Sequence, residues 1–213
     1  MPVTAERHAR VERAKLGDLM ATLGPDAPTL CEGWSTRDMA AHIILRERRP
    51  DAAPGILIRA LRSRTEKVQR TIAQKPYPEL LDEVRNPPWW TMAAIPALDR
   101  AANTVEFFIH HEDVRRAQPG WAPRSLDRDL EAALWARVRG LSRLSLRRFR
   151  GAVTLHAPGY GEAQAGAGGP AVRISGSPGE LLMFCSGRQK AARVQVTGPD
   201  ELVEKVRTRR MGL

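Results

Sequence analysis

The spacing of apolar residues changes character near residue 150, and this change restricts the chain to an α+β architecture with helices first and strands after. Leu16, Leu19, Met20 and Leu23 follow the i, i+3, i+4, i+7 spacing of an amphipathic helix that stops at Gly24-Pro25. A second helix opens at Ser35 with Asp38 three residues on, an Asp variant of the capping box. It runs through Met39, His42, Ile43 and Arg46 to the break at Pro50. A basic third segment, Pro54 to Ala73, has Ile56, Leu57, Ala60, Leu61 and Val68 as its apolar side, and a short helical stretch covers residues 76–84. Asn86-Pro87-Pro88-Trp89-Trp90 is a loop rich in helix breakers. A long helix spans Ala97 to Ala117, and another spans Leu126 to Arg148 with Leu126, Leu130, Leu134, Val138, Leu141 and Leu144 on one face. Helices of this length and connection predict an up-and-down bundle over residues 1–149.

Beyond Arg150 the runs shorten and alternate. Val153-Thr154-Leu155-His156 and Val172-Arg173-Ile174 read as strands, with the Gly/Ala-rich residues 159–169 between them as a hairpin or loop. A short helix over 178–186, a strand over 192–197 and a closing helix over 199–207 with Pro199 at its first position complete the order β-β-α-β-α. Residues 150–213 are therefore expected to form a small α+β domain.

Several classes of function fall away on composition. No run of about 18 apolar residues could span a bilayer, and the charged first twenty residues lack the apolar core of a signal peptide. Two cysteines, Cys31 and Cys185, fit a reducing cytoplasm rather than a disulfide framework. Cys185 reads as a core residue; Cys31, in the connector before the second helix, reads best as a small buried residue, with a reactive thiol or a metal ligand as the alternatives. The 34 basic residues exceed the 24 acidic ones by ten, a charge that invites comparison with nucleic-acid-binding proteins. However, 29 of the 34 are Arg, a skew that GC-rich coding produces, and the two basic runs (59–70 and 143–150) hold a single aromatic, Phe149, between them. No nucleic-acid or membrane partner is expected.

The chemistry concentrates in Asn103-Thr104-Val105-Glu106-Phe107-Phe108-Ile109-His110-His111-Glu112-Asp113. Four residues apart on a helix, Glu106 and His110 lie only about 40° apart around its axis, at the centre of the predicted buried stripe. A buried carboxylate needs compensation, and a metal ion shared with the imidazole supplies it. An intrahelical pair, or a buried network with Arg46 or Arg116, would also do so. His42, between Met39 and Ile43 on the second helix, is the best third ligand, although a lone histidine on an apolar face is commonly a core residue. Neighbouring residues point about 100° apart, so His111 and Glu112 are expected at the surface or behind the ligands. Asp113 is placed to orient an imidazole.

The stretch Leu30-Cys31-Glu32-Gly33-Trp34-Ser35-Thr36-Arg37-Asp38-Met39-Ala40-Ala41-His42, followed downstream by Glu106-x-x-x-His110, resembles the mycothiol-dependent maleylpyruvate isomerase family. That family is a branch of the DinB-like four-helix bundle metalloproteins. The resemblance implies zinc, or another divalent metal, held by His42, Glu106 and His110, with water or the thiol of mycothiol on an open position. It also implies that residues 150–213 are the family's small, sterol-carrier-like C-terminal domain. Gly176-Ser177-Pro178-Gly179-Glu180-Leu181-Leu182, Gly187-Arg188 and Val194-Gln195-Val196-Thr197-Gly198 carry that part of the likeness. Mycothiol would serve either S-transfer to a small electrophile or cis-trans isomerisation of one. Trp34 and Trp90 are the candidates for lining the thiol's place, and Arg188 and Arg46 for stabilising the substrate's charge. A cytoplasmic monomer or homodimer is expected. Two other readings stand beside the enzyme: a metal-binding protein without turnover and, more remotely, a basic nucleic-acid-binding protein.

Overall fold

The computed structural model describes residues 3–88 and 97–211. Among these residues are eight α-helices and one four-stranded sheet, in two compact units, Met1–Trp121 and Ala122–Leu213. No described helix is long and apolar enough to cross a membrane.

The first unit is helical. Helix α1 (Val3–Leu23) ends where the chain turns at Gly24, whose φ of 82° suits a residue without Cβ and whose N–H donates to Met20 O. Helix α2 (Thr36–Arg48) starts as expected, with the side chains and backbone of Ser35 and Asp38 capping each other reciprocally. The basic segment differs from the single helix predicted from Pro54. Residues 53–56 and 59–61 form separate 3-10 turns, and α3 begins only at Arg62, running to Ala73. Gly55 explains the break, because a Cβ there would collide with Thr65 Oγ1 and the carbonyl of Leu61. Leu57 and Leu61, assigned to an apolar side, are 69% and 42% exposed.

Helices α4 (Tyr77–Arg85) and α5 (Ala97–Arg116) complete the unit. Helix α1 packs along α5 and touches α4, while α2 packs on α3 and α4. Leu16, Met20, Met39, Leu45, Leu80 and Val84 are fully buried in the resulting core. Arg13 ties three helices together: it pairs with Glu47, donates to Val84 O at 2.7 Å and lies 4.2 Å over the Phe107 ring.

The second unit contains α6 (Arg128–Leu146), capped by Asp127, which accepts from Leu130 N at 2.8 Å. This helix, grouped by sequence with the bundle, packs here on α7 (Pro178–Cys185) and on strand β2 (Gly161–Gly166). The boundary at 149/150 marks where strands begin; compactness divides the chain earlier. The buried row of α6 is Leu130, Leu134, Val138, Ser142 and Leu146, with Leu144 46% exposed instead of core-facing. A row at intervals of four stays on one face, and Leu144 falls off it.

The sheet order is β2-β1-β3-β4, with β1 (Ala152–Ala157) parallel to β3 (Ala171–Ser175) and the remaining pairs antiparallel. The element order is therefore β-β-β-α-β-α: the Gly/Ala stretch forms a hairpin whose second strand sets Ala163 opposite Leu155. Strand β4 covers only Gln195–Thr197, because residues 189–191 form a 3-10 turn, and α8 (Asp200–Thr208) follows Pro199. Val153, Leu155, Val172 and Ile174 turn inward. At Gly166 the backbone has φ 81°, and a Cβ would collide with Gly151 O. Gly166→Ala is expected to cost more than the roughly 1 kcal/mol of an ordinary Gly/Ala exchange, read as a lower urea midpoint; an unchanged midpoint would contradict the close approach.

Candidate metal centre

The connector 24–35 is fastened before the site is reached. Thr36 N donates to Ala27 O, Trp34 N to Cys31 O, and Leu30 N to Asp113 O on α5, at 2.9, 2.9 and 3.0 Å. The capped start of α2 then fixes which face of that helix carries His42.

His42 from α2 and Glu106 and His110 from α5 converge. Each offers one ligand atom, and the three atoms lie within 4.8 Å of one another. Both histidines are buried, while the Glu106 side chain retains 39% of its exposure. The imidazole rings of His42 and His110 meet edge to face at 5.2 Å, and the Trp34 ring lies 4.9 Å from His42. His110 Nε2 is 3.2 Å from Glu106 Oε2, yet this buried nitrogen makes no hydrogen bond of acceptable geometry. A buried ring nitrogen without a well-directed hydrogen bond among the described residues, beside a carboxylate and a second imidazole, is a donor set suited to a divalent ion of the zinc type once its proton is displaced.

The other edge of the His110 ring is occupied. Nδ1 lies 3.2 Å from Asp113 Oδ2, and the same carboxylate oxygen accepts from Cys31 Sγ at 3.4 Å. Asp113 thus sits where it orients the imidazole, as its position one turn from His110 suggested. Cys31 is half-buried, and the spacing along the helices gave no reason to bring it here. Gln69 on α3, also unforeseen, hydrogen-bonds His42.

His111 and Glu112, expected at the surface or behind the ligands, are both buried, 6% and 1% exposed, which excludes the first of these. His111 Nδ1 meets Glu12 Oε2 of α1 at 2.9 Å, and Glu112 pairs with Arg115 and Arg116. Arg116 is therefore engaged by Glu112, while Arg46 donates to Asn103 Oδ1 at 2.8 Å, one turn along α2 from His42. Arg188 belongs to the second unit, where its guanidinium donates to Ser186 O at 2.6 Å. Trp90 and its neighbour Trp89 lie outside the described residues.

Electrostatics divide the two histidines. Burial, then the charge of His110, pushes His42 down to about 3. Burial works against a charged His110 as well, but the close approach of Asp113 and Cys31 and the Glu106 carboxylate raise it well above its ordinary value. Burial would raise Glu106, yet His110 and Arg46 hold it below the usual carboxylate range. Without metal, His42 is expected to stay neutral down to acid pH while His110 stays protonated through neutrality. Ring resonances followed by NMR against pH test this assignment, and two histidines titrating together near 6.5 would refute it.

With this geometry in place, the fold can be compared with known proteins. It is similar to the crystal structure of the mycothiol-dependent maleylpyruvate isomerase, with TM-score 0.59 and 14% identity over 92% of this chain and 93% of that one. A histidine-to-alanine mutant of that isomerase gives TM-score 0.57 at the same identity and coverage. No protein-family model and no curated protein matches the sequence. The likeness is one of fold: an α+β chain of the maleylpyruvate isomerase type.

Proposed function

We propose that the chain is a metal-dependent enzyme that uses mycothiol, a small thiol, on a small electrophilic substrate, by S-transfer or by cis-trans isomerisation. The observation that carries this reading is the convergence of His42, Glu106 and His110 around an unsatisfied buried ring nitrogen, within a fold of that isomerase type. These three residues would hold zinc or another divalent ion. Such an ion, with three protein ligands and an open position, keeps a bound thiol deprotonated at neutral pH.

The chain's own residues supply the rest. Asp113 orients His110 through Nδ1 and leaves Nε2 for the ion, while Gln69 steadies His42. Trp34 covers His42 and excludes water from that side. Arg46, fixed by Asn103, sets a positive charge beside the centre that attracts a substrate carboxylate or developing enolate. Arg188 is a further candidate for stabilising substrate charge, and Trp90 would wall the thiol's place. The first unit would be the DinB-like bundle of this family and the strand-bearing part its sterol-carrier-like domain. The protein would work in the cytoplasm as a monomer or homodimer, with no nucleic-acid or membrane partner.

Metal analysis of the purified protein, followed by cobalt substitution and addition of mycothiol, tests the reading. Stoichiometric divalent metal and a changed visible cobalt spectrum on adding the thiol are expected, with turnover in a panel of electrophiles that includes cis-unsaturated acids. Protein that takes up no metal, or whose cobalt spectrum ignores mycothiol, would overturn it.

A further inference from the structure

We propose that Cys31, Asp113 and the Nδ1 edge of His110 form a second cation position, selective for thiophilic divalent ions, with the His110 ring shared between it and the centre above. The inference rests on the proposed centre only in sharing that ring. One ligand atom from each residue lies within 4.8 Å of the others, a spacing that a small contraction around an ion would close. Asp113 Oδ2 is already the common partner of the other two, 3.2 Å from His110 Nδ1 and 3.4 Å from Cys31 Sγ.

The position is built rather than incidental. Asp113 is fully buried on α5, and the connector that carries Cys31 is pinned against it by the Leu30 N–H donating to Asp113 O. Cys31 N in turn donates to Thr29 Oγ1, and Cys31 O accepts from Trp34 N, so the loop is held on both sides of the thiol. Cys31 keeps partial exposure, which gives an ion a way in.

The charges balance. A divalent ion entering here displaces the proton of Sγ and the proton of Nδ1, and the resulting thiolate with the Asp113 carboxylate offsets its two positive charges. A thiolate selects soft or borderline ions such as Zn2+, Co2+ and Cd2+ over Mg2+ or Ca2+. A neutral imidazole ligates through one nitrogen and keeps a proton on the other, so this position and the one at Nε2 fill together only when the His110 ring gives up both protons and bridges the two ions as imidazolate.

Cobalt chloride added to the metal-free protein, with no thiol present, separates this from a purely orienting role for Asp113 and Cys31. A near-ultraviolet sulfur-to-cobalt absorption is expected in the wild type and in His42→Ala, and it should be absent in Cys31→Ser. Asp113→Asn should weaken the species that gives this absorption at least about tenfold. Cobalt should also slow alkylation of Cys31 by iodoacetamide. Cys185 serves as the unreactive reference, since it is fully buried and burial pushes its thiol up to about 12. Equal cobalt uptake by wild type and Cys31→Ser, with no such absorption and no protection, would overturn the second position. An absorption lost equally in His42→Ala and Cys31→Ser would assign Cys31 to the first centre and overturn it as well. Neither result depends on mycothiol, so the thiol reading above can fail while this one stands.

Discussion

Replacing His110 by alanine is expected to abolish stoichiometric metal binding while leaving the helices in place. His110 is the member that every candidate contact shares: its Nε2 edge faces Glu106 and its Nδ1 edge faces Asp113, with the His42 ring 5.2 Å away. Removing it takes away a donor atom and leaves the two remaining donors of the centre on different helices. The loss should exceed the roughly 10–100-fold that removal of a supporting partner costs, as in Asp113→Asn. The measurement is metal content after dialysis against a defined free-metal buffer, alongside far-ultraviolet circular dichroism. Retained metal in a folded His110→Ala protein would dismiss the centre.

Glu112→Ala is expected to be the most destabilising single change among the charged residues of α5. Its carboxylate, 1% exposed, is shared by Arg115 at 3.0 Å and by the buried Arg116. Deleting one partner of a buried ion pair costs about 3–5 kcal/mol, and the Trp121 ring 4.8 Å beneath Arg116 does not replace the carboxylate's charge. Arg115→Ala removes the better solvated arm of the same cluster and should cost under about 1 kcal/mol. Urea unfolding of the three proteins would show the contrast, and equal midpoints for the two variants would mean that Arg116 finds other compensation.

Glu112 also marks the limit of reading α5 from its spacing. Periodicity implies one buried face, and Glu106, His110 and His42, which such a face would bring together, do converge. In fact Thr104, Phe107, Phe108, His110, His111, Glu112, Asp113, Val114 and Arg116 are all buried, so α5 is covered around most of its circumference. A helix enclosed in this way carries its charges inside as pairs, and the partner of His111, Glu12, lies 99 residues away. Periodicity has no access to such a pairing. The same holds for Cys31, brought to Asp113 by a connector whose docking is set by long-range backbone hydrogen bonds.

Local chemistry was more readable. The Ser35/Asp38 cap, the Gly24 stop and the ends of α5 follow from rules that act within a turn or two, and each appears as anticipated. Strand β2 did not announce itself, because Gly and Ala offer no alternation to detect, and its register comes from pairing with β1. The extension of α3 back to Pro54 failed for the opposite reason. The apolar spacing was present, but Gly55 must fit beneath Thr65 and Leu61, which forces tighter turns.

The Glu12–His111 and Arg13–Glu47 pairs have a bearing on the centre although neither touches it. Turning α5 by a single residue would swing His111 off Glu12 by about 100° and break that buried pair. Only one azimuth of α5 satisfies that pair, and Arg13 adds a second fix by resting on Phe107 of the same helix while gripping Glu47 of α2. These contacts act as a keyway: they index the two helices that carry His42, Glu106 and His110, so the protein alone holds the three side chains together.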